Sequence, residues 1–373
     1  MLSMKNKGLI KVVVFLLILA LSAGYIMVLY DYPPSNDLRS LNAFPEFEEN
    51  TIDGVALGTS VVKYGFVPTA AYEKTGVSIA LLGTSLQPFG ATIPLLRYAK
   101  KTQNIKFAVI DIHGLRSDAV KSSIVPAKIQ NLYLNIPSRI EGYKMLPDLF
   151  DYVERAYEYY GKPESKSQVI NRHDTFWYVP FISFHSRWQD GGLVKADFKG
   201  LEPRFLGAYN VKARVFATTD CSEYLDCWDY KITDIDDFQK NELKLLFDFL
   251  EENDIRPLFI NMPSFRENDE QQENASLIEY CKEHGYDAID FCTSEMLDEL
   301  SLNPKTDFLN RGHLNSKGGV KFSKYIAKYL SENGFTTTDH RGQEGYEIWD
   351  TAKKKYNKFY KKGWKDVEEA KTE

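Results

Sequence analysis

The tetrapeptide Leu-Gly-Thr-Ser occurs twice early in the chain, at 57–60 and again at 82–85. Each copy follows a short apolar run, Gly54-Val-Ala-Leu and Ser78-Ile-Ala-Leu-Leu. Each therefore sets a small hydroxyl where a buried strand ends and a loop begins. A serine there becomes a nucleophile when an imidazole takes its proton and a third group holds the imidazole's tautomer. The chain supplies an imidazole far downstream, in Asp307-Phe-Leu-Asn310-Arg-Gly-His313-Leu-Asn-Ser-Lys-Gly. His313 stands just ahead of a helical stretch that Asn315 or Ser316 can cap. Asp307 is the nearest acid and the expected partner of the ring. Asn310 is the alternative, able to orient the imidazole but not to stabilise an imidazolium by charge.

The first strand of a parallel sheet is central, so Ser60 falls in the middle of the sheet edge, within reach of a late loop. Ser85 falls beside it. The second loop can then point backbone N–H groups at a carbonyl attacked by Ser60, and Gly83 permits the close approach. Gln87 is a candidate side-chain donor from that loop. His113, after the apolar run Phe107–Ile112, is the alternative donor, or else a packed histidine at a strand end. A third cluster, His185-Ser-Arg187-Trp188, offers a guanidinium for a phosphate or carboxylate among aromatics that can stack on a sugar. It reads equally as an internal ion pair with aromatic packing, and Arg116 reads as an ion pair. Without the distant histidine, Gly-Thr-Ser would be read only as a turn.

The elements that must position these groups alternate in type. Strand-like runs cover 55–57, 78–82, 107–112, 257–261 and 288–291. Helix-like stretches cover 93–102, 238–253, 270–284 and 317–333. Short buried strands alternating with helices predict an α/β fold, a three-layer doubly wound parallel sheet with its site at the carboxyl ends of the strands. Both LGTS copies and Gly114 fall at that edge. Residues from about 157 to 230 break the alternation with aromatics, Arg and Gly. They are too long for a plain loop and read as an insertion over the active edge. The tail beyond 335 is a charged helix carrying Trp349, Tyr356, Phe359 and Trp364, suited to pack on the domain or to touch a membrane surface.

The N-terminus carries Lys5, Lys7 and Lys11 and no acid, and 12–30 is uncharged and apolar. About twenty such residues span a bilayer as a helix. With lysines before it and acids after it, the segment predicts an uncleaved anchor with a cytoplasmic 1–11, a linker over 31–50 and an extracytoplasmic domain. A cleaved signal peptide is the rival reading. The 373 residues carry a net charge of −6 with acids and bases interleaved, which lacks the basic stripe of a nucleic-acid partner. The four cysteines form two local pairs, Cys221 with Cys227 and Cys281 with Cys292, with no histidine spacing of a zinc site. Neither pair is expected with assurance to be a disulfide, and no metal or other cofactor is expected.

A Gly-Thr-Ser at the end of strand one, a strand-two loop reading Gly-Thr-Ser-Leu-Gln-Pro, His-Leu-Asn-x-x-Gly before the last domain helix and a single N-terminal anchor together resemble the SGNH/GDSL hydrolase superfamily. The likeness runs from Thr51 to Phe335 and is nearest to its membrane-anchored DltD-like branch. That branch takes part in D-alanyl transfer to teichoic acid, and related proteins accompany membrane-bound O-acyltransferases in polysaccharide acylation. The resemblance implies a flavodoxin-like sheet, Ser60 as nucleophile, His313 as base and Gly83 as oxyanion donor. It implies an acyl-Ser60 route that moves acetyl or D-alanyl groups on an envelope polysaccharide or teichoic acid. The implied partners are the membrane and a membrane-bound acyl donor. The chain departs from the superfamily at position 310, where Asp-x-x-His would place an acid, and in lacking the Gly-x-Asn-Asp block. These departures motivate the alternative of a non-catalytic SGNH-like polysaccharide-binding or scaffolding subunit.

Overall fold

A computed structural model describes residues 4–29, 41, 44–134, 139–174, 177, 204–210, 212–228, 230–336 and 338–370. Five strands form one parallel sheet: β1 (Gly54–Leu57), β2 (Ile79–Leu81), β3 (Phe107–Asp111), β4 (Arg256–Asn261) and β5 (Asp287–Asp290). Their spatial order is β2-β1-β3-β4-β5. β6 (Phe308–Asn310) and β7 (His313–Leu314) make a separate antiparallel hairpin.

The helices are α1 (Met4–Leu29), α2 (Ser60–Gly65), α3 (Pro68–Thr75), α4 (Thr92–Ala99), α5 (Ser117–Ser123), α6 (Pro126–Leu134), α7 (Arg139–Tyr160), α8 (Lys212–Val215), α9 (Asp237–Glu252), α10 (Asn268–Glu283), α11 (Ser294–Glu299), α12 (Ser316–Glu332) and α13 (Glu347–Glu369). The chain divides into two compact units, one of residues 1–34 and 171–200, the other of 35–170 and 201–373. Every described site residue discussed below belongs to the second unit.

Strand alternation explains why both faces of the sheet are covered. Leu258 and Ile260 of β4 join a cluster with Phe322, Ile326 and Leu330 of α12. Phe259, between them, points the other way and meets the ring of Phe247 on α9 edge-on at 5.6 Å. A strand buried on both sides must be apolar throughout, and β1, β2 and β3 are buried at every residue. The result is an α/β protein whose order reverses direction between β1 and β3, where such sheets open a crevice at their carboxyl ends. α9 begins with a capping box, Asp236 accepting from Gln239 N and Gln239 returning to Asp236 N.

The segment from about 157 to 230, read from sequence as an insertion, starts in the last turn of α7, which runs to Tyr160. Much of it, with His185 and Arg187, lies outside the described residues, as does most of the 31–50 linker. α13 packs on the domain through Trp349, Tyr356 and Trp364, all buried. Trp364 Nε1 donates to Ser316 Oγ at 3.1 Å. All four cysteines are free and buried.

Among the described residues no helix is long and apolar enough to cross a membrane. Along α1 the apolar side chains of Leu9, Phe15 and Leu21 are exposed.

Candidate active site

The turn that ends β1 carries Ser60 as the first residue of α2. Gly58 makes the turn with φ of +150°, and a Cβ there would strike the side chains of Val62 and Asp111. The β2 loop lies alongside: Thr84 N donates to Gly58 O at 3.1 Å, and a Cβ on Gly83 would sit 3.2 Å from Gly58 O and 3.3 Å from Lys63 N. Gly83 is thus where two backbones meet at the sheet edge.

His313 arrives from the opposite end of the chain. Its loop is pinned twice. Phe265 N donates to Arg311 O at 2.6 Å, and Arg311 Nε returns to Phe265 O at 3.0 Å. Asn315 caps α12, accepting from Lys317 N and Gly318 N, while its Nδ2 donates to Ala217 O and Thr306 O. Held this way, His313 Nε2 lies 2.8 Å from Ser60 Oγ across 253 positions of sequence.

The other ring nitrogen faces Asn310. Nδ1 is 2.9 Å from Asn310 Oδ1, and Gly312 N donates to the same oxygen at 3.0 Å. A backbone N–H can only donate, so the amide oxygen is the atom turned toward the ring. Nδ1 therefore carries the proton, and Nε2 offers its lone pair to the Ser60 hydroxyl. This corrects the expectation for Asp307. In the β6–β7 hairpin Asn310 is the register partner of His313, whereas the backbone of Asp307 pairs with Asn315. The Asp307 carboxylate is 1% exposed and accepts from Lys321 Nζ (2.6 Å), Asn303 N (2.8 Å) and Thr306 Oγ1 (3.0 Å). It ties the hairpin to α12.

Burial and four cationic or ionisable groups, of which the sequence pointed only to His113, shape the ring's electrostatics. The His313 pKa is pushed down to about 3, chiefly by burial and then by Arg266, His113, Arg214 and Lys63. The Tyr64 ring meets the imidazole at 4.9 Å, and its hydroxyl accepts from Arg214 Nη1 at 2.9 Å. Tyr209 packs on Tyr64 at 4.3 Å. Lys63 is 2% exposed, and its Nζ donates to Ser85 Oγ at 2.9 Å. Lys63 and Tyr64 had a legible signal, since they follow Ser60 by three and four positions and return to its side of the helix. Arg214, Tyr209 and Arg266 come from distant segments and had none.

The remaining candidates occupy distinct places. Gln87 is buried within its turn, where its Oε1 accepts from Thr84 Oγ1 at 3.1 Å. His113 is buried in the turn after β3, 3.4 Å from Asp111 Oδ1 and 3.4 Å from Asn274 Nδ2, its pKa lowered by burial against the pull of Asp111. It is a packed strand-end histidine. Arg116 is paired with Asp118 and Glu270. Among the described residues no group of His, Cys, Asp and Glu side chains could hold a metal ion.

A hydroxyl donating to a tautomerically fixed imidazole, beside a loop with close backbone approach, can attack an activated carbonyl and pass its proton to the ring. No family model matches this chain, and no curated protein matches it either.

Proposed function

We propose that this chain is a serine acyltransferase or esterase of SGNH-like, three-layer architecture that moves acyl groups on a cell-envelope polymer. The reading rests on one observation, the 2.8 Å contact between Ser60 Oγ and His313 Nε2. Ser60 Oγ attacks the carbonyl of an acyl donor while His313 Nε2 accepts its proton. The tetrahedral intermediate collapses, the donor's leaving oxygen takes the proton, and acyl-Ser60 remains. His313 then deprotonates an acceptor hydroxyl, which attacks the acyl-serine and restores the Ser60 hydroxyl. Water in place of that acceptor makes the reaction a hydrolysis. No metal or cofactor enters this scheme. In this reading the apolar N-terminal helix keeps the domain at a membrane, beside a membrane-bound protein that supplies the acyl group.

A fluorophosphonate probe tests the reading on the full-length chain. Stoichiometric labelling at Ser60 that His313→Ala abolishes supports it, and a well-folded protein that stays unlabelled overturns it. One observation favours the second reading, a non-catalytic polysaccharide-binding or scaffolding subunit. The ring's orienting partner is the neutral Asn310, and desolvation together with the neighbouring cations disfavours the imidazolium that general-base catalysis must form.

A further inference from the structure

The second Leu-Gly-Thr-Ser is left without a task by the Ser60–His313 pair. Its serine is half-buried at the end of the strand beside β1. Ser85 Oγ accepts a hydrogen bond from Lys63 Nζ at 2.9 Å, and Lys63 stands one helical turn after Ser60 on α2. The lysine amine is buried and lies over the rings of Tyr64 (5.5 Å) and Tyr209 (5.1 Å), faces that hold a cation away from water. A hydroxyl that accepts from such a donor is a stronger donor itself, and its own proton is turned away from the lysine. That proton meets no acceptor among the described residues. The loop is strained where it matters. Leu86, next in sequence, has φ of +53°, a left-handed conformation that side chains other than glycine avoid. The same loop touches the Ser60 turn, through Thr84 N on Gly58 O and the close approach of Gly83.

From this geometry we propose that the Ser85 hydroxyl, polarised by Lys63, is a side-chain oxyanion donor for the carbonyl attacked by Ser60. The inference rests on the acyl-transfer reading and deepens it. It gives the duplicate motif a role and supplies the donor that the missing Gly-x-Asn-Asp block would have carried. As Ser60 adds, the carbonyl oxygen gains a full negative charge. The Ser85 O–H donates to that oxygen, and Lys63 offsets the charge through Ser85. No bond to Ser85 or Lys63 forms or breaks. Lys63 acts through Ser85 and is a positioning residue.

The test uses the full-length protein with p-nitrophenyl acetate as the probe ester. Loss of one oxyanion donor lowers kcat by about 10²–10³, so Ser85→Ala is expected to lower kcat by about a hundredfold with little change in KM, and Ser85→Thr to restore most of it. Lys63→Met is expected to lower kcat in the same direction. The Ser85→Ala/Lys63→Met double variant should be no slower than the slower single variant, because both act through one hydroxyl. A purely structural role would lower the melting temperature and the active fraction without this kcat-only, non-additive pattern. Wild-type turnover and Ser60 labelling combined with an undiminished kcat in Ser85→Ala would overturn the donor role and leave the acyl-transfer reading standing. If Ser85→Ala does not fold, Ser85→Thr with wild-type melting but a kcat as low as that of Lys63→Met overturns it instead. A wild type that neither labels nor turns over the ester removes both.

Discussion

His313 gives its Nδ1 proton to the amide oxygen of Asn310, 2.9 Å away, while a buried carboxylate three residues earlier, Asp307, is bound to Lys321. The ring is oriented without a charge behind it. Replacing Asn310 by Asp places a carboxylate at the same register position, where it accepts the same proton. The reverse change in a serine protease costs about 10⁴ in rate. Asn310 is exposed, so solvent screens part of that gain. Asn310→Asp is expected to raise kcat on p-nitrophenyl acetate by about tenfold or more. A rate equal to or below that of the wild type would show that the missing charge does not limit the reaction.

The pH profile carries an independent signature. A histidine with its ordinary pKa leaves a break in kcat near pH 6.5. His313, half-buried and pushed down by desolvation and then by Arg266, His113, Arg214 and Lys63, falls to about 3. The neutral, proton-accepting form therefore persists well below neutrality. The expected profile for single-turnover acylation is flat from pH 8 to about pH 5. In Asn310→Asp the added negative charge raises the histidine pKa, and the acid limb moves up. A wild-type break near 6.5 would contradict the electrostatic account of the site.

The same depression has a stability consequence with a definite sign. Below the ordinary pKa the unfolded chain protonates this histidine and the folded chain does not. The unfolded state then binds more protons, and stability falls as pH drops from about 6.5 toward 3. His113, also lowered by burial, adds in the same direction. His313→Gln removes one of these groups. Urea melts at pH 7.5 and pH 4.5 should show a smaller acid loss in His313→Gln than in the wild type. Equal losses would mean that the ring already binds its proton in the folded state at pH 4.5.

Parts of this arrangement were readable before any coordinates. β1, β2 and β3 are buried on both faces and so appear as near-continuous apolar runs, and all five strand-like runs fall within a residue or two of the observed limits. α9 is legible from Leu243, Leu246, Phe247 and Leu250 on one face. The Ser60 and His313 candidates followed from strand ends and a cap. Both Asp307 and Asn310 were legible as orienting partners, but the choice between them was not, because it depends on the register of a hairpin whose strands are three and two residues long. A register that short leaves no periodicity to read, and an acid looked better than an amide. α7 escaped notice, with Pro147 standing inside it. Arg214 and Arg266 reach the histidine only through tertiary packing, and no local pattern announces that.

Asp307 itself makes a contrasting prediction. Its carboxylate binds Lys321 and the 303–306 turn, and none of its hydrogen bonds reaches His313. Asp307→Asn leaves a buried amide where a charge accepted three hydrogen bonds, at a cost of about 1–3 kcal/mol. The expected outcome is a lower urea midpoint with fluorophosphonate labelling of Ser60 unchanged per folded molecule. Lost labelling in a protein that still unfolds cooperatively would return Asp307 to the catalytic set.

The C-terminal helix reaches the site through a chain of packed side chains, and one glycine controls it. A Cβ on Gly363 of α13 would fall within the ring of Phe216. Phe216 also packs on Phe359 and Trp364 of the same helix, at 5.1 and 5.4 Å. It directly follows α8, whose Arg214 donates to the Tyr64 hydroxyl beside His313. Gly to Ala in a helix interior ordinarily stabilises by about 1 kcal/mol. Here the methyl must displace a buried aromatic ring, so the sign is expected to reverse, with overpacking costing about 1–3 kcal/mol. The displacement runs along α8 toward Arg214 and loosens the Tyr64 ring against the imidazole. Gly363→Ala should therefore lower both the thermal midpoint and the rate of Ser60 labelling, and Phe216→Leu in the Gly363→Ala background should recover part of each by making room. A Gly363→Ala protein more stable than the wild type would mean that the ring yields freely and that the tail helix holds no leverage over the site.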